Sequence, residues 1–325
     1  MKLHIIELEN VKHKKARKNF LIFIFLIVSF MFVFQQRIIY STEMMKNGFI
    51  SVEQGKYEGT TTFGVLSGTG TFTFNTGDVY TGEFKNNNIT GTGTYTFQSG
   101  DTYSGNWEDG KMTGEGVFTF KDVGVYEGSF ADSKRSGEGV FKWDNGDILQ
   151  CDWEDDMPIG EVTVSYKNGA KFTGTLNDGK VTSGEYHYVS DDGDFTFTIE
   201  NSKAVSAVIK FKNGASYEGE IKDSKIAGEG TMTYKNKDTY TGNFENGLKS
   251  GSGKYVWSSG ENYSGNWKED KMNGKGTYCY KSSSYPNLSG EFKNNKPAQT
   301  MKYNVSSAQS YETEWKDGKC VKIKE

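Results

Sequence analysis

From Tyr57 onward, apolar and polar residues alternate with a period of two, broken at regular points by glycine and by short polar clusters. Tyr80, Gly82 and Phe84 fall on one side of an extended chain, with Thr81 and Glu83 on the other. A little further on, Gly91, Gly93, Tyr95 and Phe97 share a side, and Thr92, Thr94 and Thr96 oppose them. A period of two is strand geometry. Asn86-Asn87-Asn88 supplies a tight turn between the two runs, and Ser99-Gly100-Asp101 the turn that leads onward. Each block is therefore predicted to be a β-hairpin.

The block recurs. Copies begin at Tyr57, Tyr80, Tyr103, Tyr126, Leu149, Phe172, Phe195, Tyr217, Tyr240, Tyr263, Leu288 and Tyr311, in steps of 23 residues apart from one of 22 and one of 25. Self-similarity at a fixed period decides architecture before any other signal. The clearest copies hold Tyr80, Gly82, Phe84 with Gly91 and Gly93; Tyr103, Gly105, Trp107 with Gly114 and Gly116; and Tyr126 with Gly128. Later come Tyr240, Gly242 with Gly251 and Gly253, and Tyr263, Gly265, Trp267 with Gly274 and Gly276. This pattern, Tyr-x-Gly-x-[Phe/Trp] followed by Gly-x-Gly and alternating aromatics, resembles the MORN repeat (membrane occupation and recognition nexus). A cell-wall-binding aromatic repeat is the second reading, on Trp107-Glu-Asp-Gly110-Lys-Met-Thr-Gly114, but it lacks the Tyr-x-Gly opening and the paired glycines.

The expected fold is all-β: an elongated single-layer antiparallel sheet of stacked hairpins, preceded by one transmembrane helix. At ~4.8 Å per strand the array would span about 110 Å. Glycine normally weakens a strand. Here it lies among the aromatics, so rings can rest on backbone that carries no Cβ. All six tryptophans fall at fixed repeat positions, Trp107, Trp153, Trp267 and Trp315 at one and Trp143 and Trp257 at another, so packing is the expected role, with ligand stacking by any one of them as the alternative.

The ends differ from the array. Residues 1–19 form a basic tail containing Lys12, Lys14, Lys15, Arg17 and Lys18. The apolar run that starts at Phe20 continues past Arg37 to Tyr40, long enough for an uncleaved signal anchor over residues 20–40. The positive-inside bias then puts the N-terminus in the cytoplasm and the repeats outside it. A cleaved signal peptide, with cleavage near Ser41, would make the protein secreted instead. Residues 41–56 read as a tether with a capping strand at Ile50-Ser51-Val52, and residues 57–325 as the array, capped over 288–325 where Gln299 and Met301 replace the glycine pair. Over residues 149–216 three copies depart from Gly-x-Gly: Val162 follows Gly160, Ser183 and Glu185 stand in the next copy, and Ser206 and Val208 in the third. Either the array tolerates drift there, or a partner recognises a locally different face.

Charge narrows the partners. The chain's net charge is −4, but residues 1–19 carry +4, so the remainder holds 32 basic against 40 acidic residues, net −8. That argues against nucleic acid, which needs a basic stripe. It also gives little support to the lipid binding associated with MORN proteins. Lys134-Arg135 is only a local basic spot. Cys151, Cys279 and Cys320 have no metal-ligand spacing, and an odd number closes no disulfide framework. His187 is the only histidine in the array and lacks a catalytic companion. Asp191-Asp192-Gly193-Asp194 reads as a turn with no fixed ligand set, weak calcium binding being the alternative, and Glu115, Glu138 and Glu229, each between motif glycines, read as solvating residues. Four Asn-x-Ser/Thr acceptor patterns, at Asn88, Asn262, Asn287 and Asn304, matter only in a secretory pathway. No catalytic, cofactor or metal site is assigned. The expected function is a non-catalytic membrane-anchored scaffold for protein partners, with a carbohydrate, cell-envelope or lipid-binding module as the alternative.

Overall fold

The computed structural model describes residues 52–177, 179–281 and 284–324. The basic tail, the apolar run at 20–40 and most of the tether lie outside the described residues. The described part of the expected capping strand is instead a single 3-10 turn, Val52–Gln54. Everything else regular is strand, and the strand pairings are antiparallel. The described residues divide into two compact units: the first holds those up to Tyr186 with Glu200–Ser202, the second His187–Ile199 and those from Lys203.

In the first unit, Gly55–Thr62 pairs with Val65–Phe74, which pairs with Val79–Lys85, and the ladder continues hairpin by hairpin to Lys171–Asn177. In the second, the same ladder runs from Lys203–Phe211 and Ser216–Lys222 to Ser310–Lys316 and Lys319–Lys324. The copy at Tyr311, which the glycine pattern leaves incomplete, thus still closes a hairpin. The two-residue turns hold both residues at positive φ, as at Asn86 (51°) and Asn87 (63°) or Glu269 (48°) and Asp270 (67°). Their backbone twist matches that of the flanking strands, and Asn and Asp tolerate the left-handed region.

The two motif glycines do different jobs, which corrects the single face expected for them. Gly82 pairs with Gly93, and a Cβ on Gly93 would collide with the Tyr80 ring. The register then slips between Gly82 and Glu83, a β-bulge, and Gly91 sits in the slip at φ 63°. One extra residue reverses the parity, so a Cβ on Gly91 would meet the Glu83 carboxylate on the opposite face. Gly114, Gly137, Gly228 and Gly251 likewise have positive φ and face the polar side chains of Asn106, Ser129, Glu220 and Asn243.

A single-layer sheet has no second layer to cover its core, yet Tyr80, Tyr103, Tyr126, Tyr240 and Tyr263 are all 0% exposed. The rings cover one another. Phe84 sits edge-on between Tyr57 and Tyr80, Trp107 between Tyr80 and Tyr103, and Phe130 between Tyr103 and Tyr126, at 4.9–5.4 Å between centroids. The second unit repeats this herringbone through Tyr217, Phe244, Tyr240, Trp267, Tyr263 and Phe292. Edge-to-face contact between such rings adds ~0.5–1.5 kcal/mol beyond the area buried. Tyrosine is used because its hydroxyl reaches a carbonyl at the bulge: Tyr103 donates to Asn106 O at 3.0 Å and Tyr240 to Asn243 O at 2.9 Å.

The irregular copies compensate by volume. Leu149 is shorter than tyrosine, and the glycine pair opposite it becomes the buried pair Cys151 and Val162. The Phe172 copy keeps its glycines, contrary to the sequence reading: Gly184, displaced by one residue, lies against Gly174 beneath the Phe172 ring. In the Phe195 copy the buried Ala207 stands opposite Gly219.

Candidate interaction surface

Outside the aromatic face, the first unit presents threonine, serine and carboxylate side chains on its other face. Between Thr102–Glu108 and Lys171–Asn177 this polar face holds an open groove of about 1350 Å³. Its lining alternates by strand. Ser104, Val117, Glu127, Val140, Gln150, Thr163 and Thr173 form one lateral row, each opposite the next across the ladder. Glu115, Ser129, Glu138, Asp152, Glu161 and Thr175 form the second. No lysine or arginine is among the lining residues. Within the groove Ser129 Oγ donates to Glu115 Oε1 at 2.6 Å, and Lys142 reaches Glu127 at 2.7 Å from beside it. Val117 is 40% exposed on the floor. Glu115 and Glu138, read from sequence only as solvating residues, are thus brought together with Glu161 in one concavity; Glu229 lies in the other unit.

A second feature was hidden by local composition. Arg135 is not a surface basic spot: it is 1% exposed. Its position recurs as Leu66, Ile89, Met112 and Met272, residues that pack under the aromatic row. Arg135 Nε donates to Asp156 Oδ1 at 3.1 Å, and its guanidinium lies 4.0 Å from the Trp153 ring centre. Lys249, at the same position two copies before Pro297, is 0% exposed and pairs with Asp270 at 3.0 Å. Four rings surround its ammonium, Tyr234, Tyr240, Tyr255 and Trp267, at 5.3–5.7 Å. Burial pushes both cations below their ordinary range, and the paired aspartate opposes the shift. The aspartates come from the turn of the following hairpin, where each also accepts a backbone N–H, from Arg135 and Lys249 respectively. Asn87 and Asn295 make the same staple to Leu66 and Met272. The 23-residue register was the signal available: a cation at a position otherwise apolar.

The other candidates disperse. His187 pairs with Asp194 at 2.9 Å, and no group of three metal-ligating side chains occurs among the described residues. All three cysteines are free; Cys151 and Cys279 are buried, and burial pushes the Cys151 thiol up to about 12. Trp107, Trp153 and Trp267 are each 3% exposed and Trp257 is 6% exposed. Asn287 is 8% exposed, and its side-chain amide donates to Ser284 O.

MORN repeats are found seven times in the chain, at residues 57–79, 80–102, 103–122, 126–148, 217–239, 240–261 and 263–285. These matches bracket the irregular copies and stop short of them. No curated protein matches the chain in sequence. Among solved structures, the chain is similar to the TCP10 domain of Danio rerio CPAP in complex with a peptide of Danio rerio STIL. That match has 12% identity and a TM-score of 0.39, and covers 65% of this chain and 94% of that one. It is also similar to the SAS-4 (dCPAP) TCP domain of Drosophila melanogaster in complex with a proline-rich motif of Ana2. There the identity is 12% and the TM-score 0.30, covering 48% of this chain and 85% of that one.

Proposed function

We propose that this chain is a non-catalytic MORN-repeat scaffold that binds protein partners on the polar face of its hairpins, held to a membrane through residues 20–40 with the repeats outside the cytoplasm. The observation that carries the reading is the division of labour between the two faces. The aromatic face is consumed by packing on itself, with most of its tyrosines and tryptophans buried. The polar face is left open, and in the first unit it is concave over at least seven strands. Repeat arrays present extended surfaces of this kind to partners. Buried indoles offer no free ring face for a sugar to stack on, so the structure favours protein over carbohydrate. The anchor rests on the apolar run and the basic residues before it.

Site-specific photo-crosslinking in the native membrane tests the scaffold reading. A photoreactive residue at Val117 or Thr241, both on the polar face, is expected to give discrete protein adducts. The same residue at Phe63, fully exposed at the tip of the first turn and off that face, is expected to give none. Equal diffuse labelling from all three sites would overturn it.

A further inference from the structure

We infer that the groove of the first unit is the docking site for an extended basic segment of a protein partner, one that carries lysine or arginine at every third residue in a polyproline-II-like backbone. This deepens the scaffold reading and rests on it. Three observations lead there. The groove is lined by Glu115, Glu138, Asp152 and Glu161, with Glu127 already paired to Lys142 at its edge and no lysine or arginine in the lining, so its net charge selects a basic occupant. Its shape is a trough crossing the strands, with Val117 and Val140 on its floor one copy apart, which suits a rod-like segment with apolar contacts between charges.

Spacing sets the conformation. Glu115, Glu138 and Glu161 occupy one repeat position in three successive copies. One hairpin is two strands, so these carboxylates step along the trough by about 9.6 Å. A β-strand laid across them would advance about 10 Å in three residues, but residues three apart in a strand point to opposite sides. A polyproline II helix advances about 9.3 Å per turn of three residues, so every third side chain faces the same way. Only the second geometry puts each cation over a carboxylate. The polar face of the second unit breaks the ladder: the same position reads Glu229, Ser252, Lys275.

The test uses the full-length chain in detergent micelles and two fluorescent synthetic peptides of equal composition. In one, lysines fall at every third residue of a proline–alanine background; in the other, they are clustered at one end. The spaced peptide is expected to bind at least about tenfold more tightly, with affinity falling as salt rises. The combined variant Glu115→Gln/Glu138→Gln/Glu161→Gln should lose that preference, while Glu229→Gln should keep it. Unchanged circular dichroism of the triple variant would exclude misfolding. Equal binding of the two peptides would reduce the effect to diffuse charge attraction and overturn the proposal. So would spaced-peptide affinity that survives the triple change. Absence of binding to the wild-type chain overturns it as well. None of these outcomes touches the crosslinks expected from Thr241, so the scaffold reading fails or stands separately.

Discussion

At the scale of single residues, the glycines separate into two kinds that composition cannot tell apart. The second glycine of each pair makes room for a ring; the first takes a left-handed backbone at a bulge. Gly139 belongs to the ring kind, since any Cβ there would strike Tyr126. Gly160 has φ 65° with nothing near its absent Cβ. Gly139→Ala should therefore cost ~1–3 kcal/mol by overpacking. Gly160→Asn should cost no more than about 1 kcal/mol, because asparagine visits the left-handed region. Urea denaturation of both variants checks this, and a larger loss at Gly160 would mean that the faces are assigned the wrong way round. Thiol chemistry gives a second residue-scale prediction. Burial raises the Cys151 thiol to about 12 and shifts Cys279 in the same direction, whereas Cys320 is exposed. A thiolate-specific reagent at pH 8 should label one cysteine in the native protein and three after denaturation.

At the scale of the hairpin, stability comes from ring contacts and from turn-to-turn staples, and Lys249 with Asp270 belongs to both. Asp270→Asn alone should destabilise by roughly 3–5 kcal/mol, because it strands an ammonium beneath four rings. Lys249→Met/Asp270→Asn copies the Met272 and Asn295 pairing one copy later and should be at least as stable as wild type. The pH dependence follows from the shift. Lys249 lies below its ordinary 10.5 in the folded chain, so between its folded value and 10.5 the unfolded chain binds more protons and wild-type stability from this group rises with pH. Any advantage of the double variant at neutral pH should shrink as pH approaches 10.5. Hairpin existence, turn positions and the packing role of the tryptophans were legible in the sequence, because alternation and turn chemistry are local. Three things were not. The bulge was missed because it adds no residue type, only a slip that inverts parity at Gly91. Gly184 was missed because it comes one residue before the position counted for the second glycine. Arg135 and the Glu115–Glu138–Glu161 ladder were missed because each residue looks ordinary alone, and only stacking the copies places a cation in the core or three carboxylates in one trough.

At the scale of the whole molecule, the partners available depend on which side of a membrane the array occupies. No helix among the described residues is long and apolar enough to cross a bilayer. The proposed crossing is the run from Phe20 to Tyr40, and under the positive-inside bias the Lys/Arg-rich residues before it would orient the chain with its tail inside. Two physical consequences follow. A helix buried in hydrocarbon resists ionic washing, whereas an array of net −9 adsorbed to anionic lipid through scattered lysines would not. The protein should therefore stay in the membrane pellet through high salt and alkaline carbonate. The second consequence concerns access. Tightly paired hairpins with two-residue turns offer a protease few sites, so cleavage should begin in the tether at 41–51 and release the array nearly whole. Protease added to cells stripped of any covering wall is expected to produce that fragment and leave residues 1–40 in the membrane. Complete protection, with cleavage only after the membrane is opened, would place the repeats on the cytoplasmic side or within an organelle and remove the proposed display. A soluble species beginning near Thr42 without added protease would show instead that the apolar run is a signal removed on export, with the array free to carry its groove to a partner elsewhere.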